Sequence, residues 1–414
     1  MTIVQGSVAP FRTIGPPRLL AGLNEGRADL ERHIRAHGPA PVLTRQTYGE
    51  LAAAVGLRGR GGAAFPVALK LADLPARGVE AVVVNGSESE PVSRKDRLLL
   101  TLAPHLVLDG ATGLAQALRA PLVLVAVHDA AAADSIRAAL SERRDPVQVH
   151  VSRTPGQFVA GEARAVLRIL EGGPAVPPGR KVLPTRKGYH GQPTFLSNVE
   201  TFAQLAVLAR LGAYEFSSTG LTTEPGTQLL TVGGDVRRPG VIETPTGVPL
   251  ETVLQFAGAP AGGPVLVGGY HGQWLPGPDG IQLSRPDVPV GAGIVLVMGS
   301  ATCPLGEVHR VAQWLSSESA GQCGPCVFGL AALVDDLGRL LAGDPAGWHD
   351  AQRHLGLVPG RGACAHPDGS ARFLASALEV FGDGEVGNHL AGGCGRVVRG
   401  VLPVPQRGAP LKGL

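Results

Sequence analysis

The sequence predicts an α/β chain in three parts: a Rossmann-like parallel-sheet domain, a β-grasp domain and a C-terminal helical bundle. Three observations carry this. Short apolar β-type runs alternate with longer helical patterns between 81 and 170, as in a parallel sheet covered by helices. A compact strand, strand, helix, strand order follows between 228 and 267. Beyond 306 the apolar residues recur at helical spacing, and helices alone bury such faces as a bundle.

Composition sets outer limits. The 414 residues leave room for two to four domains at about 100–200 residues each. With 37 basic against 34 acidic side chains and a net charge of +3, no long-range field argues for nucleic acid or an anionic membrane. No run approaches the roughly 18 apolar residues of a membrane span, and residues 1–15 lack a signal peptide's apolar core, so a non-spanning, cytoplasmic protein is expected. Five cysteines in such a chain favour reduced thiols or metal ligation over a disulfide framework.

In chain order, 1–55 reads as an N-terminal extension with one helix near 27–37, and Thr44 precedes a short helical pattern over 48–55. Residues 56–70 follow as a glycine-rich loop, and 81–84 as a strand ending in Asn85-Gly86-Ser87-Glu88-Ser89-Glu90-Pro91. Then come a helix over 95–118, a strand 122–127, a helix 130–143, a strand 147–151 and a helix 161–170. Residues 172–191 are Pro, Gly and Lys/Arg rich and read as irregular. Ser197-Asn198-Val199-Glu200 has the Ser-x-x-Glu spelling of a capping box before a helical pattern. Strands at 228–232 and 240–243, a helix at 250–256 and a strand at 264–267 make the β-grasp pattern, and 294–298 is a buried-strand run. Helices are expected at 306–315, 330–341 and 373–381, with Cys364 in the loop before the last and a loose tail from 397 to 414.

Two constellations carry chemistry. Glycines in 56–70 let backbone N–H groups approach an anion, with Arg58, Arg60 and Lys70 as compensating charge. In open α/β sheets ligands sit beyond the carboxyl ends of the strands, where the Asn85–Glu90 turn falls. There Glu88 and Glu90 can accept hydrogen bonds from ribose hydroxyls or ring N–H groups. The second is Cys323-x-x-Cys326 with Cys364, a spacing that suits zinc or an iron–sulfur cluster; Cys303 reads as an ordinary strand-end thiol.

The 56–70 spelling, Gly-Leu-Arg-Gly-Arg-Gly-Gly-Ala-Ala-Phe-Pro-Val-Ala-Leu-Lys, resembles the flavin-binding loop of the NADH-oxidising, FMN-bearing subunit of respiratory complex I. It is similar also to that subunit's relatives in NAD-linked hydrogenases and formate dehydrogenases. Later segments keep the order, so the resemblance runs from about 56 to about 394. It implies FMN contacts from Gly59, Gly61, Gly62, Lys70, Asn85, Glu88, Gly161, Glu162, Asn198 and Thr201. It implies that Phe65 stacks on the nicotinamide nucleotide and that Glu90 holds its ribose. A ubiquitin-like, SLBB-type domain follows the flavin domain in that family, and a [4Fe–4S] cluster is held by positions matching Ala320, Cys323, Cys326 and Cys364. Ala320 has no ligand atom. The cluster could be completed by Cys394, Cys303 or solvent, be a three-iron or labile one, or be absent; four-cysteine zinc using Cys394 is a further option.

The chain departs from the family pattern at Ser87, Ala163 and Ser197, and at Asp73 and Leu183, where aromatics that help sandwich NADH are usual. The resemblance therefore implies a divergent, stand-alone paralogue divided at 56–222 (FMN and NADH), 223–300 (β-grasp) and 301–395 (helical, iron–sulfur), with a 396–414 tail. It would pass hydride from NADH to FMN and single electrons to a cluster and a ferredoxin-like or other electron-transfer protein. Two alternatives are an FMN/iron–sulfur relay without NADH and a scaffold without cofactors.

Overall fold

The computed structural model describes residues 8–405 except 24, 25, 180, 285–287 and 289. Residues 1–7 of the expected extension and 406–414 of the expected tail lie outside the described residues.

Four parallel strands make the first sheet, in the spatial order Gln148–Arg153, Leu122–Val127, Ala81–Gly86, Thr194–Asn198. The central strands are Val-rich because both faces are covered. Val82 and Val84 point into one apolar cluster, Ala81 and Val83 into another on the opposite face. Helix Ala163–Leu170 covers the second face, while Pro104–Ala117 and Val199–Phe216 cover the first. Those two helices cross closely at Gly110, where a Cβ would lie 1.9 Å from the Phe202 carbonyl oxygen.

The helix expected over 95–118 is two helices, Lys95–Leu102 and Pro104–Ala117, bent by 92°. Pro104 lacks an N–H and drives Ala103 out of helical geometry, to φ −122°, ψ 46°. Among the described residues no single helix is long and apolar enough to cross a membrane; this bent pair passes that test by length and composition and is buried inside the body.

The second sheet has the order Phe11–Thr13, Gly240–Pro245, Thr227–Gly234, Ile294–Val297, Val265–Val267, Gln273–Leu275. A central parallel pair is flanked by antiparallel partners on both sides, with helix Leu250–Ala257 packed across: this is the β-grasp arrangement. The first strand lies in the stretch read as an extension and pairs in parallel at the sheet edge. Behind it the backbone N–H groups of Arg18, Leu19 and Leu20 donate to the buried Glu243 carboxylate at 2.8–2.9 Å.

Helices Pro304–Ser317, Ala331–Leu341, Pro345–Leu357 and His366–Phe381 form the bundle. Pro345–Leu357 was not expected from the sequence, because it turns only Gly347 and Ala351 fully inward and shows no apolar stripe. The tail expected to be loose from 397 is docked as far as it is described. Glu307 accepts from the backbone of Gly400 (2.6 Å) and Val401 (3.0 Å), Leu402 is fully buried, and the Tyr270 hydroxyl donates to the Pro403 carbonyl at 2.6 Å.

Candidate functional site

Strands Ala81–Gly86 and Thr194–Asn198 end side by side, so Asn85 and Asn198 stand in register at the carboxyl edge of the parallel sheet. The glycine loop closes over this edge: Gly59 N–H donates to the Phe65 carbonyl at 3.0 Å, and Arg58 bridges to Pro66. Between them is a cavity of about 120 Å³ whose walls include Gly61, Asn85, Glu88, Glu90, Gly161 and Asn198. Six residues chosen from the sequence thus meet in one place. At Gly161 a side chain does not fit, and at Gly61 it would be tight. A Cβ on Gly161 would sit 2.2 Å from Ser89 Oγ and 2.8 Å from the Ser87 carbonyl; one on Gly61 would sit 3.1 Å from Asn198 Cβ. Gly62 adopts φ +101°, which L side chains rarely accept.

The polar walls are tied to the protein. Asn85 Nδ2 donates to the Gly161 carbonyl at 2.9 Å, and its Oδ1 accepts from Ser87 N–H at 3.1 Å. Glu88 accepts from Ser93 Oγ (2.5 Å) and from the backbone N–H groups of Asp96 (3.0 Å) and Arg97 (2.9 Å), so it serves the helix start there. Asn198, rather than Ser197, caps helix Val199–Phe216, and the expected capping box dissolves: Ser197 lies inside the strand. Glu200 is turned into the protein, where it meets Lys95 Nζ at 2.9 Å and Arg60 Nε at 4.0 Å.

Beneath the cavity runs a buried ionic network that sequence reading missed. Lys95 bonds Asp96 (3.0 Å) and Glu200, Asn198 Nδ2 donates to Asp96 (2.5 Å), and Arg60 meets Glu224 at 2.9 Å. Burial pushes Asp96 up from the usual carboxylate range, against the pull of Lys95. Arg60, expected to face a phosphate, is 1% exposed and committed to this network. The adjacent opposite charges Lys95-Asp96 after the acidic turn were the signal available.

Lys70, Glu162, Thr201 and Phe65 sit outside the walls. Lys70 Nζ donates to the Leu196 carbonyl at 2.9 Å over the Phe195 ring, and burial pushes it down to about 8. Glu162 caps the Ala163–Leu170 helix and pairs with Arg164 at 2.8 Å. Thr201 Oγ1 accepts from Arg60 N–H at 2.9 Å, and Phe65 is 44% exposed. Glu90 is half-buried as a residue, yet its Oε1 is closed off from solvent without a partner while Oε2 accepts from Tyr270 N–H at 3.2 Å. Burial pushes Glu90 up to about 8. Asp73 accepts from Thr185 Oγ1 (2.5 Å) and Arg186 (3.1 Å), and Leu183 is 53% exposed.

Cys323, Cys326 and Cys364 come within electrostatic reach of one another, Cys326 on a π-helical turn at Pro325–Leu330. Arg164 Nη2 donates to the Ala363 carbonyl at 3.1 Å, which links the Gly161-Glu162 wall of the cleft to the Cys364 loop. Cys303 is no strand-end thiol: it caps helix Pro304–Ser317 and touches His389.

The chain is 31% identical over 363 residues to the F-2 subunit of NADH-quinone oxidoreductase from Rhizobium meliloti (strain 1021), covering 80% of this chain and 86% of that one. It belongs to the family of NADH-quinone oxidoreductase F subunits. Another F subunit, from Mycobacterium tuberculosis (strain H37Rv), is 31% identical over 379 residues, 82% of this chain and 84% of that protein. Two parts of this F-type chain match family descriptions: residues 52–207 the Nuo51 FMN-binding domain, and 306–387 the NADH-ubiquinone oxidoreductase-F iron–sulfur binding region. An NAD+-reducing [NiFe]-hydrogenase in the air-oxidized state superposes with a TM-score of 0.80 at 27% identity, over 91% of this chain and 67% of the other. The cleft and the Cys323/Cys326/Cys364 group each fall inside one of the matched regions.

Proposed function

We propose that this F-type chain is an NADH-oxidising flavoprotein that binds FMN in the cleft and passes electrons through an iron–sulfur centre to a protein partner. The observation that carries this is the convergence of Asn85, Glu88, Gly161 and Asn198 at the carboxyl edge of the parallel sheet, where Gly161 leaves no room for a Cβ. The residues present fit FMN: Gly61 and Gly161 line the cleft without side chains, and the polar walls Asn85, Glu88 and Asn198 are held in place by their own hydrogen bonds. When bound, FMN supplies the conversion between a hydride and single electrons.

The protein's own part is positioning. Gly61 and Gly62 bring backbone N–H groups close, Gly59 closes the loop through its bond to the Phe65 carbonyl, Lys70 supplies the neighbouring positive charge, and Asn85, Asn198 and Thr201 keep the strand ends and helix start in place. Glu88 fixes the acidic turn on the helix it caps, and Glu162 fixes the Gly161 wall. Phe65 and Glu90 are assigned to the nicotinamide nucleotide. Reacting rings held in contact need no acid or base from the protein. Cys323, Cys326 and Cys364 are assigned to the cluster; three thiols are present and Ala320 contributes none. The division at 56–222, 223–300 and 301–395, a ferredoxin-like or other electron-transfer partner and a cytoplasmic setting belong to the same proposal.

A relay that does not use NADH is the second reading, favoured by one observation: Asp73 is held by Thr185 and Arg186 where an aromatic face for NADH is expected, beside the exposed Leu183. The test is anaerobic purification with FMN and iron analysis, followed by NADH titration. Flavin bands that bleach with NADH are expected. Flavin that stays oxidised leaves the relay; protein that binds neither FMN nor iron on reconstitution overturns both.

A further inference from the structure

Cys303, His389 and Cys394 lie together, apart from the three thiols assigned to the cluster. Their two sulfurs and one imidazole nitrogen are all within 4.8 Å of one another, and among the described residues no other His, Cys, Asp or Glu trio converges so closely. Cys303 Sγ and His389 Nε2 are 3.4 Å apart. A tetrahedral zinc with bonds of about 2.3 Å to sulfur and about 2.0–2.1 Å to nitrogen holds such a pair about 3.6 Å apart.

Local structure builds this arrangement from three directions. Cys303 caps the 14-residue helix Pro304–Ser317, and the Gly306 N–H donates to its sulfur at 3.3 Å, which fixes where the sulfur points. His389, 7% exposed, lies on helix Gly387–Leu390 with its Nδ1 buried and unpartnered. Gly392 and Gly393, both at φ +113°, then turn the chain so that Cys394 faces the same point. The Cys303 N–H donates to the Val397 carbonyl at 3.1 Å and fixes the return. A buried imidazole with one free nitrogen and a sulfur for its other partner is costly unless something else engages it.

We infer that Cys303, His389 and Cys394 bind a zinc ion. Two thiols give up their protons to solvent, the resulting thiolates balance the dication, and the half-exposed Cys394 side leaves the fourth position to water. Two sulfurs and an imidazole select zinc over magnesium or calcium, which take oxygen ligands. The ion clamps the returning 394–402 segment onto the start of the Pro304–Ser317 helix, beside the backbone bonds that Glu307 accepts from Gly400 and Val401.

The test uses the full chain, purified anaerobically and titrated with Zn2+ against a chromophoric chelator, with zinc and iron measured separately. One tight zinc per chain is expected in addition to any iron. Cys394→Ser and His389→Gln should each weaken it by more than the roughly 10–100-fold that losing an outer-shell partner costs. Cys303→Ser should lose zinc while keeping its helix, because serine also caps. Cys326→Ser should keep zinc. With Co2+ in place of zinc, the thiolate charge-transfer absorption should fall in Cys394→Ser. A native chain that takes up no tight zinc overturns the inference. So does zinc binding unchanged in both Cys394→Ser and His389→Gln, zinc that follows Cys326 instead, or a Cys303–Cys394 disulfide found where the zinc should be.

Discussion

Around the cleft, Lys95, Asp96, Glu88, Glu200 and Asn198 hold one another and the backbone with contacts from 2.5 to 3.4 Å. Around Cys323, Cys326 and Cys364 the thiols' partners are each other, Ser319 and the backbone at His366, with only Glu162 and Arg164 as charges acting on Cys364. Burial pushes Cys326 up to about 12 and Cys364 up as well, so both are neutral thiols until a bound cation displaces their protons to solvent. The difference is one of timing. The cleft is shaped before its ligand arrives, and the sulfur site is completed by what it binds.

Removing one charge from the network is the harshest way to break that contrast. Lys95→Ala leaves Asp96 and Glu200 buried without their ammonium, and about 3–5 kcal/mol of stability should be lost in urea unfolding of the apoprotein. A loss under about 1 kcal/mol would mean that the charges do not hold the cleft. Glu90 comes next. Its raised value means that the folded protein keeps a proton that the unfolded chain releases near 4.5. Stability should therefore fall as pH rises from about 4.5 to about 8, by at most about 1.4 kcal/mol per unit, and level off above. Glu90→Gln should flatten that limb of the pH–stability curve; an unchanged slope assigns it to another group.

Gly161→Ala should weaken FMN binding by about tenfold or more, about 1.4 kcal/mol, since the new Cβ meets the backbone carbonyl of Ser87 at 2.8 Å. Gly61→Ala, with only a 3.1 Å approach to Asn198 Cβ, should cost less in the same fluorescence titration. Restoring an aromatic by Leu183→Phe should tighten NADH by a few-fold, the ~0.5–1.5 kcal/mol of a ring contact, and no gain in KM would place the dinucleotide elsewhere. Smallest in stability is Cys326→Ser: iron should be lost while the apoprotein's melting temperature hardly moves.

Much of this was legible. Val-rich strands announce themselves because both faces are covered; the strand end placed the acidic turn with Glu88, while Asn85, Gly161 and Asn198 were chosen through the resemblance, and all four line one cavity. What escaped depends on partners distant in sequence. The three-residue strands Phe11–Thr13 and Gln273–Leu275 exist through pairing, Pro345–Leu357 packs through small residues, and Arg60 and Glu200 look like surface charges until Glu224 and Lys95 are brought to them. The bend at Pro104 was readable from the proline itself.

The strand at Phe11–Thr13 also sets a clock. Arg18, only a few residues further on, bonds to a carboxylate 225 residues later. A ribosome adding about 5–20 residues per second needs roughly ten to forty-five seconds to supply that partner. Through that interval Leu19 and Leu20 wait for the carboxylate that fixes their backbone.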